Sequence, residues 1–393
     1  MTTKTTASVS TNPITRDGTI VFGITGAAGT PGGIASANLN VLKTLQALSR
    51  DSGKRLKVVS LHENSANRPG LLDSNVEFIG CLSNRFLFTL SILKSFRPGC
   101  IYLFDHVRLA LPITPLIAIG FRDFVIFAHG SESWKRARQS SKWLFSRARF
   151  CLTNSQFTLR GMQDTFSGFD GRSCLLGLPL NHTESSPGID GQVKPHLLPA
   201  VDGQIQRLNN RVILLVGRMD SREREKGHCE LLRIWSDVLR RFPDAQLVFA
   251  GPGDDQSSLI KIAEAKGIAS SVFIPGFLPV NVLKEYYRHC YAFVMPSRQE
   301  GFGLVYLEAM NAGKPCIGCI GGGGEEIIED GKTGILLENS FSDQRLLEAI
   351  LQLLEDATLA RRMGREGQRR LREKFTTDHA CDRLHRVLKE LFQ

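Results

Sequence analysis

Residues 295–313 read MPSRQEGFGLVYLEAMNAG and form the densest cluster of chemically useful groups in the 393-residue chain. The pattern predicts a strand that ends at Ser297, a tight loop that contains Gly301 and Gly303, and then a short helix. A helix N-terminus without bulky side chains exposes unpaired amides and about half a positive charge. Such a terminus suits a diphosphate.

Two glutamates flank this predicted helix start. Glu300 lies outside the helix, at its mouth, and Glu308 lies within it, so their carboxylates can contact different parts of one ligand. Carboxylates in this position bind hydroxyl groups well. Taken alone, the stretch is equally compatible with a capped amphipathic helix that carries two solvated glutamates.

Short apolar runs alternate with amphipathic stretches along the chain, which is typical of parallel sheets covered by helices. The predicted strands are 19–26, 55–63, 99–106, 123–129 and 148–155, followed by 211–218, 245–251, 271–276, 291–297, 314–320 and 334–338. Residues 177–210 are rich in Gly, Pro, Ser and Asn and predict an interdomain linker. The predicted fold is α/β, with two doubly wound, Rossmann-like domains that face a central cleft.

The longest apolar segment, residues 109–121, is too short to cross a membrane and contains two prolines. We expect it to form a buried loop and strand. Nine cysteines, an odd number that stands mostly in apolar segments, indicate reduced thiols in a cytoplasmic protein. Cys316 and Cys319 form a CxxC motif without a second pair at zinc spacing, so a buried pair is expected there and no metal site.

The positive charge lies in the first half of the chain. Residues 1–200 contain 22 Lys and Arg against 12 Asp and Glu, whereas residues 201–393 contain 27 of each. A solvated basic face, an anionic membrane surface and a phosphate-bearing acceptor all explain this surplus. Nucleic acid is disfavoured, because no nucleic-acid-binding motif accompanies the charge.

The most basic and aromatic stretch of that half is SWKRARQSSKWLFSRARF, residues 133–150. Its cations alternate with Trp134, Trp143, Leu144, Phe145 and Phe150, a mixture suited to the headgroup layer of a membrane. The alternative is a helix whose apolar residues pack on its own domain while the cations stay in water.

A glycine loop, ITGAAGTPGG at residues 24–33, suggests a dinucleotide site. Its spacing looks like that of extended short-chain dehydrogenases, and Glu63 is placed to hold a ribose. Those enzymes need a tyrosine followed four positions later by lysine as a proton-transfer pair. None of the five tyrosines has a lysine four positions on. The loop is therefore expected to supply clearance and amides to a ligand held by the other half.

The second half resembles family 4 retaining glycosyltransferases, whose two-domain architecture is called GT-B. The resemblance rests on Glu300 and Glu308 in SRQEGFGLVYLEAM and on LLVGRMDSREREKGH at 214–228. FAGPGDD, IPGFLP and GGGGEEIIEDGKTGILL follow the family order, so the match covers nearly all of 211–340. GPGDD and CIGC depart from the commoner family residues. The first half matches more weakly, at Gly32, Gly33 and His129.

This resemblance implies transfer of a hexosyl unit from a UDP- or GDP-sugar to an acceptor hydroxyl with retention of configuration. It implies that His129 lies beside the transferred sugar, that Glu300 binds sugar hydroxyls and that Glu308 binds the ribose. Gly32 and Gly33 would lie near the donor phosphate and acceptor. The donor diphosphate would be held by Arg218, Lys226 and the segment Gly301, Phe302, Gly303 and Leu304. No metal and no cofactor are expected.

The implied domains are a disordered tail at 1–18, an acceptor domain at 19–200, a nucleotide-sugar-binding domain at 201–375, and a C-terminal helix at 376–393 that packs back on the first domain. Expected partners are a nucleotide sugar, a glycan or lipid-linked acceptor and an anionic inner membrane surface. The role would be cell-surface polysaccharide or glycolipid assembly. Alternatives are an NAD-dependent oxidoreductase, a nucleotide-sugar epimerase of GT-B architecture, and a silent scaffold, which would be expected to lack Glu300, Arg218 or Lys226.

Overall fold

The computed structural model describes residues 18–30, 32–130, 137–166, 169–175, 177–178, 196–199, 205–222 and 224–391. The predicted tail lies outside these residues except for Gly18, as do most of residues 177–210. The first domain contains a seven-stranded sheet in the order β3-β2-β1-β4-β5-β6-β7, in which all neighbours are parallel. Its strands are β1 (Thr19–Ile24), β2 (Arg55–Ser60), β3 (Glu77–Gly80), β4 (Ile101–Phe104), β5 (Phe124–Ala128), β6 (Phe150–Thr153) and β7 (Gly171–Ser173).

The second domain repeats this plan with six parallel strands in the order β12-β11-β10-β13-β14-β15. An antiparallel pair, β8 (His196–Pro199) and β9 (Ile205–Leu208), precedes it. The sheet is built from β10 (Val212–Val216), β11 (Gln246–Ala250), β12 (Val272–Gly276), β13 (Ala292–Val294), β14 (Cys316–Cys319) and β15 (Gly334–Leu337). In both sheets the strand order reverses beside the first strand, which places ligand clefts at the carboxyl ends.

Helices connect the strands. The first domain has α1 (Gly33–Ser52), α2 (Arg85–Lys94), α3 (Thr114–Ala118), α4 (Gln139–Phe145) and α5 (Gln156–Thr165). The second has α6 (His228–Arg241), α7 (Gln256–Ala265), α8 (Val280–His289), α9 (Leu304–Asn311), α10 (Gly324–Ile327), α11 (Asp343–Glu355) and α12 (Ala357–Lys374). The last helix is α13 (Thr377–Lys389). Short 3-10 turns occur at Ser65–Asn67, Val107–Ile113, Arg224–Lys226 and Ala269–Ser271. The doubly wound α/β fold predicted from the sequence is confirmed.

The central strands explain why the sequence folds in this way. Every residue of β4, β5, β10 and β11 is buried, as continuous apolar runs in a sheet covered on both faces require. Apolar helix faces close each sheet, so that each domain has its own core.

The last helix returns to the first domain. α13 packs on α1, and Leu384 and Leu388 are buried in the core of the first domain. On the surface, Lys43 Nζ donates to the Asp378 carboxylate at 2.8 Å. The end of the chain therefore ties the two domains together.

A second contact between the domains lies at the start of α5. Ser155 Oγ donates to the Gly301 carbonyl at 2.5 Å, and the Phe157 amide donates to Glu326 at 3.1 Å. These bonds hold the carboxyl end of β6 against the loop that precedes α9.

Candidate active site

A cavity of about 500 Å³ lies between the two domains at the carboxyl ends of both sheets. The predicted site residues that line it are Gly33, His129, Arg218, Lys226, Glu300, Gly301, Phe302, Gly303 and Leu304. Gly32 and Glu308 do not line it. The first-domain and second-domain walls of the cavity are close together. A Cβ placed on Gly33 of the first domain would lie 3.7 Å from Leu304 Cδ1 of the second.

Lys226 and Glu300 form an ion pair in the second-domain wall of this cavity, with Lys226 Nζ donating to Glu300 Oε2. Both side chains are partly buried, so the pair is less screened than one on the surface. Gly227 follows Lys226 with a φ of 101°, a left-handed conformation that turns the chain into α6. The cation is thus held at the mouth of the cavity by the glutamate expected to contact the donor.

The start of α9 has the geometry expected of an anion site. Gly303 caps the helix with a φ of 93°, where a side chain would strain the backbone, and a Cβ there would lie 2.5 Å from Tyr306. The first amides of such a helix have no intrahelical acceptor and carry partial positive charge. They face the same cavity as Lys226.

The tetraglycine loop at 321–324 packs directly against this helix start. The Gly323 amide donates to the Glu300 carbonyl at 2.7 Å, and a Cβ on Gly323 would lie 2.4 Å from the Gly301 carbonyl oxygen. Glycine is required there because the two backbones touch. The loop thus holds the backbone of Glu300 in place through this hydrogen bond.

His129 lies at the end of β5, on the opposite wall. Its Nε2 is 2.8 Å from the Asp105 carbonyl oxygen. Because that oxygen accepts only, Nε2 carries the proton and Nδ1 keeps its lone pair. Burial lowers the pKa of His129 to about 4, so the ring is neutral at pH 7.

Asp105 is a buried carboxylate beneath His129 that sequence reasoning missed. Its Oδ2 accepts from the Thr25 amide at 2.7 Å, from the Thr25 hydroxyl at 2.6 Å and from Asn38 Nδ2 at 2.7 Å, while Oδ1 has no protein partner. Burial raises its pKa to about 6. The carboxylate joins β4, the glycine loop and α1, and so positions the main chain that holds His129.

Glu63 accepts hydrogen bonds from the glycine loop at 24–33. Glu63 Oε1 accepts from the amides of Ala27 at 3.0 Å and Gly29 at 2.7 Å, and Oε2 accepts from Ser60 at 2.9 Å. The side chain is buried. The loop amides that a dinucleotide would need are bonded to this carboxylate, which is itself unavailable to a ribose. This arrangement counts against the dehydrogenase alternative.

The GPGDD segment, a departure from the commoner family residues, supports the long loop before α6. Asp254 accepts from the Ser221 amide at 2.8 Å and hydroxyl at 2.9 Å, and Asp255 pairs with Arg224 at 2.5 Å. A Cβ on Gly253 would lie 1.8 Å from the Met219 carbonyl oxygen. The two acids thus hold the loop that carries Arg218 and Lys226.

Two buried polar groups in the cavity wall were not predicted. Ser297 Oγ and Asn154 Oδ1 both lie buried without a hydrogen-bond partner in the protein. Buried groups of this kind are normally satisfied, so each indicates a place for a ligand or water. Nothing in their sequence context marks them, because burial without a partner arises from the tertiary structure.

Glu308 lies one turn further along α9, beside the Tyr287 hydroxyl. Burial and this neighbouring carboxylate raise the pKa of Tyr287. The role expected for Glu308, ribose binding, is not visible in the cavity itself.

No group of three or more His, Cys, Asp or Glu arranged to hold a metal occurs among the described residues. Cys316 and Cys319 are buried free thiols in β14. None of the helices described by the structure is both long enough and apolar enough to cross a bilayer.

The basic aromatic stretch 133–150 is described only from residue 137, so Trp134 lies outside the described residues. Leu144, Phe145 and Phe150 are buried in the core of the first domain. Trp143 is partly buried, with the Arg147 guanidinium 4.6 Å from its ring centroid. Most apolar side chains of the described part therefore pack inward.

Residues 203–370 match the family model described as "Glycosyl transferases group 1". Within these residues the second domain is similar to group 1 glycosyl transferases. This match confirms the resemblance seen in residues 211–340. The chain is 31% identical over 180 residues to an alpha-D-kanosaminyltransferase from Streptomyces kanamyceticus. The aligned residues make up 46% of this chain and 46% of that enzyme.

A second relative is the GDP-mannose-dependent alpha-(1-6)-phosphatidylinositol monomannoside mannosyltransferase of Mycolicibacterium smegmatis. It is 32% identical over 164 residues, covering 40% of this chain and 42% of the relative. The chain thus matches less than half the length of these curated relatives. Among solved structures, Anabaena HepE, determined in complex with UDP and glucose, superposes with a TM-score of 0.72 at 18% identity, covering 95% of this chain and 100% of HepE. The GT-B fold is confirmed.

Proposed function

We propose that this protein is a retaining glycosyltransferase that moves a hexosyl unit from a nucleoside-diphosphate sugar to an acceptor hydroxyl. The observation that carries the proposal is the convergence of Lys226, Glu300 and the start of α9 on one wall of a cavity whose other wall carries His129. A UDP- or GDP-sugar is the proposed donor. The HepE complex with UDP and glucose and the GDP-mannose-dependent relative support this class of donor.

The second domain supplies the charge that the leaving group needs. As the bond between sugar and diphosphate loosens, negative charge grows on the diphosphate, and Arg218, Lys226 and the first amides of α9 stabilise it. A diphosphate that binds Lys226 competes with Glu300 for the ammonium. The carboxylate of Glu300 is then released toward the hydroxyls of the sugar.

The first domain supplies a neutral acceptor group. Since His129 Nε2 donates to the Asp105 carbonyl, its Nδ1 is available to accept a hydrogen bond from a sugar hydroxyl. A neutral ring adds no charge that would compete with the developing positive charge at the anomeric carbon. Glu300 is assigned to binding and not to nucleophilic attack, and the acceptor is proposed to react on the face that the diphosphate leaves.

Glu308 is proposed to bind the ribose of the nucleotide, and Gly32 and Gly33 to give the donor and acceptor clearance. With two cations and a helix terminus to hold the diphosphate, catalysis is proposed to need no metal ion. We further propose that the enzyme acts at the inner face of a membrane, in polysaccharide or glycolipid assembly. The positive surplus of residues 1–200 and the lipid-linked substrate named for the mannosyltransferase relative support this location.

Thermal unfolding in the presence of UDP-, GDP- and ADP-sugars tests the donor class. The correct donor at one hundred times its dissociation constant stabilises the fold by about 2.7 kcal/mol. Lys226→Ala is expected to abolish most of this stabilisation. Arg222→Ala is the matched control, because Arg222 is an exposed cation of the same loop that does not line the cavity.

The alternative activities give different results in this experiment. Stabilisation by NAD in place of nucleotide sugars would indicate an oxidoreductase. Conversion of the donor to an epimer without any acceptor would indicate an epimerase. A donor that stabilises both variants equally would contradict the assignment of Lys226.

A further inference from the structure

The outward face of α2 is apolar, which is unusual for a helix at the surface. Phe86, Leu87, Leu90 and Leu93 follow helical spacing and are all exposed, with Phe86 at 77%. The opposite face is buried in the core through Phe88 and Ile92. A surface helix normally presents polar side chains to water, so this helix is apolar on both faces.

Neighbouring residues extend the same face. Leu82 is 65% exposed just before α2, and Leu111 is 43% exposed in the 3-10 turn that packs beside it. We call Leu82, Phe86, Leu87, Leu90, Leu93 and Leu111 the α2 surface. Exposed apolar residues gathered in one patch mark an interaction site, whereas single ones do not.

The backbone that presents Leu82 is strained. Leu82 and Ser83 have φ values of 52° and 65°, and they are the non-glycine residues with positive φ in the described part of the chain. Their amides donate to the carbonyls of Glu63 at 3.0 Å and Leu61 at 2.7 Å, which holds the conformation. Left-handed backbone at a leucine is unfavourable and is found where the surrounding structure enforces it.

Basic residues lie on α2 and in the segments that follow it, with little opposing charge. Residues 81–122 contain five basic residues and a single acid, Asp105, which is buried. The basic residues are all exposed: Arg85, Lys94, Arg97, Arg108 and Arg122. Apolar side chains with Arg85, Lys94 and Arg108 beside them match the boundary between anionic headgroups and acyl chains.

The α2 surface also borders a second cavity, of about 660 Å³, whose wall includes Arg85, Leu93, Arg108 and Leu111. His106 lines both this cavity and the one that contains Lys226 and Glu300. A surface that contacts a bilayer here would place the second cavity at the membrane and within reach of the proposed donor site.

We propose that the α2 surface docks the protein on an anionic bilayer. The proposal rests on the membrane location proposed above and assigns that role to residues other than the 133–150 stretch, whose described apolar side chains are mostly buried. Phe86 and the leucines enter the acyl boundary while Arg85, Lys94 and Arg108 contact headgroups. A second copy of the chain fits less well, because a twofold contact would bring the same cations face to face.

Sedimentation with vesicles of phosphatidylglycerol or phosphatidylcholine tests this proposal. The intact chain is expected to pellet with phosphatidylglycerol at least tenfold more than with phosphatidylcholine at low salt, and 0.5 M salt is expected to weaken binding. Arg85→Glu with Lys94→Glu should reduce binding at least about twentyfold, since each basic residue contributes about fivefold. Arg361→Glu with Arg365→Glu, two exposed cations of α12, should have little effect.

A second pair of double variants tests the contribution of the apolar side chains to vesicle binding. Phe86→Ser with Leu90→Ser should abolish pelleting, whereas Ile260→Ser with Phe277→Ser, exposed apolar residues of the second domain, should not. Donor-induced stabilisation of the α2 variants should equal that of the original chain, so a failure of docking is distinguished from a failure of glycosyl transfer.

Three results would overturn the proposal. The first is that the intact chain pellets equally with phosphatidylglycerol and phosphatidylcholine vesicles. The second is that the α2 variants pellet as well as their control variants. The third is that light scattering shows a dimer that Phe86→Ser with Leu90→Ser converts to a monomer without any vesicle binding, which would make the α2 surface an interface between copies.

Discussion

The main-chain carbonyl of His129 lies against Gly301, so closely that a Cβ on Gly301 would be 2.1 Å from that oxygen. Asn154 Nδ2 donates to the same carbonyl at 2.8 Å, and Ser155 Oγ donates to the Gly301 carbonyl. The two walls of the cavity therefore touch through backbone, at a position that admits no side chain. The arrangement of the proposed site depends on this contact.

Gly301→Ala is expected to lower kcat/KM at least tenfold, because the methyl group forces the loop before α9 away from His129. Thermal stability of each domain should change little, since the contact lies between the domains. Gly70→Ala serves as the control, because Gly70 has open space around it. Equal activity of the two variants would show that the domain contact is not needed in the active form.

Glu308→Gln is expected to weaken donor binding tenfold to hundredfold, the effect of losing a hydrogen bond to a charged acceptor, about 1.5–3 kcal/mol. The fold should persist, because the amide has the same shape as the carboxylate. Calorimetry with the donor is the measurement, and Glu264→Gln on the exposed face of α7 is the control. Unchanged affinity in Glu308→Gln would remove Glu308 from the proposed ribose site.

Glycosyl transfer is expected to survive excess EDTA. Arg218, Lys226 and the start of α9 supply the positive charge that the leaving diphosphate needs. The rate of nucleoside-diphosphate release should therefore stay within about twofold of the untreated enzyme. Complete loss that magnesium restores would show that a metal ion neutralises the diphosphate.

Stability should fall in acid partly through His228, whose pKa is lowered to about 4 by burial. Between pH 6.5 and pH 4 the unfolded chain binds a proton on this ring that the folded chain does not, so the free energy of unfolding decreases as pH decreases. His129 acts in the same direction. Asp105 acts in the opposite direction, because its raised pKa, about 6, lets the folded chain hold a proton that the unfolded chain releases.

His228→Phe isolates one of these contributions, since it keeps a ring against Phe249 and removes the titrating group. Relative to this variant, the original chain should lose on the order of 3 kcal/mol of stability between pH 6.5 and pH 4. Denaturant unfolding across this range is the measurement. Parallel curves for the two proteins would mean that the folded ring titrates normally.

The sequence predicted the sheets well where strands are apolar throughout. All six predicted strands of the second domain are present. β3 and β7 were missed because they are short and only partly buried. β8 and β9 were missed too, because they lie in residues 177–210, where the composition predicted a linker. Residues 109–121 were expected to form a loop and strand, yet they form a 3-10 turn and α3, with Pro112 inside the turn and Pro115 in the first turn of α3. Proline is compatible with the first turn of α3, because the amide that it lacks has no intrahelical acceptor there.

Local sequence predicted less of the candidate site. Glycines 301 and 303 and the neighbouring glutamates form a motif that can be read along the chain. Ser297 and Asp105 belong to no such motif. They are candidates for the site only because the fold buries their oxygen atoms next to residues distant in sequence. For Glu63 the sequence suggested a ligand contact that the structure does not leave room for. Its position suits a ribose, but its carboxylate is hydrogen-bonded to the backbone amides of Ala27 and Gly29.

A crystal structure with the nucleoside diphosphate of the stabilising donor would show which residues bind the diphosphate. We expect the phosphates to lie within hydrogen-bonding distance of Lys226 Nζ and the first amides of α9, with Glu300 released from Lys226. Phosphates bound instead to the glycine loop at 24–33, with Glu63 displaced from the Ala27 and Gly29 amides, would contradict this expectation.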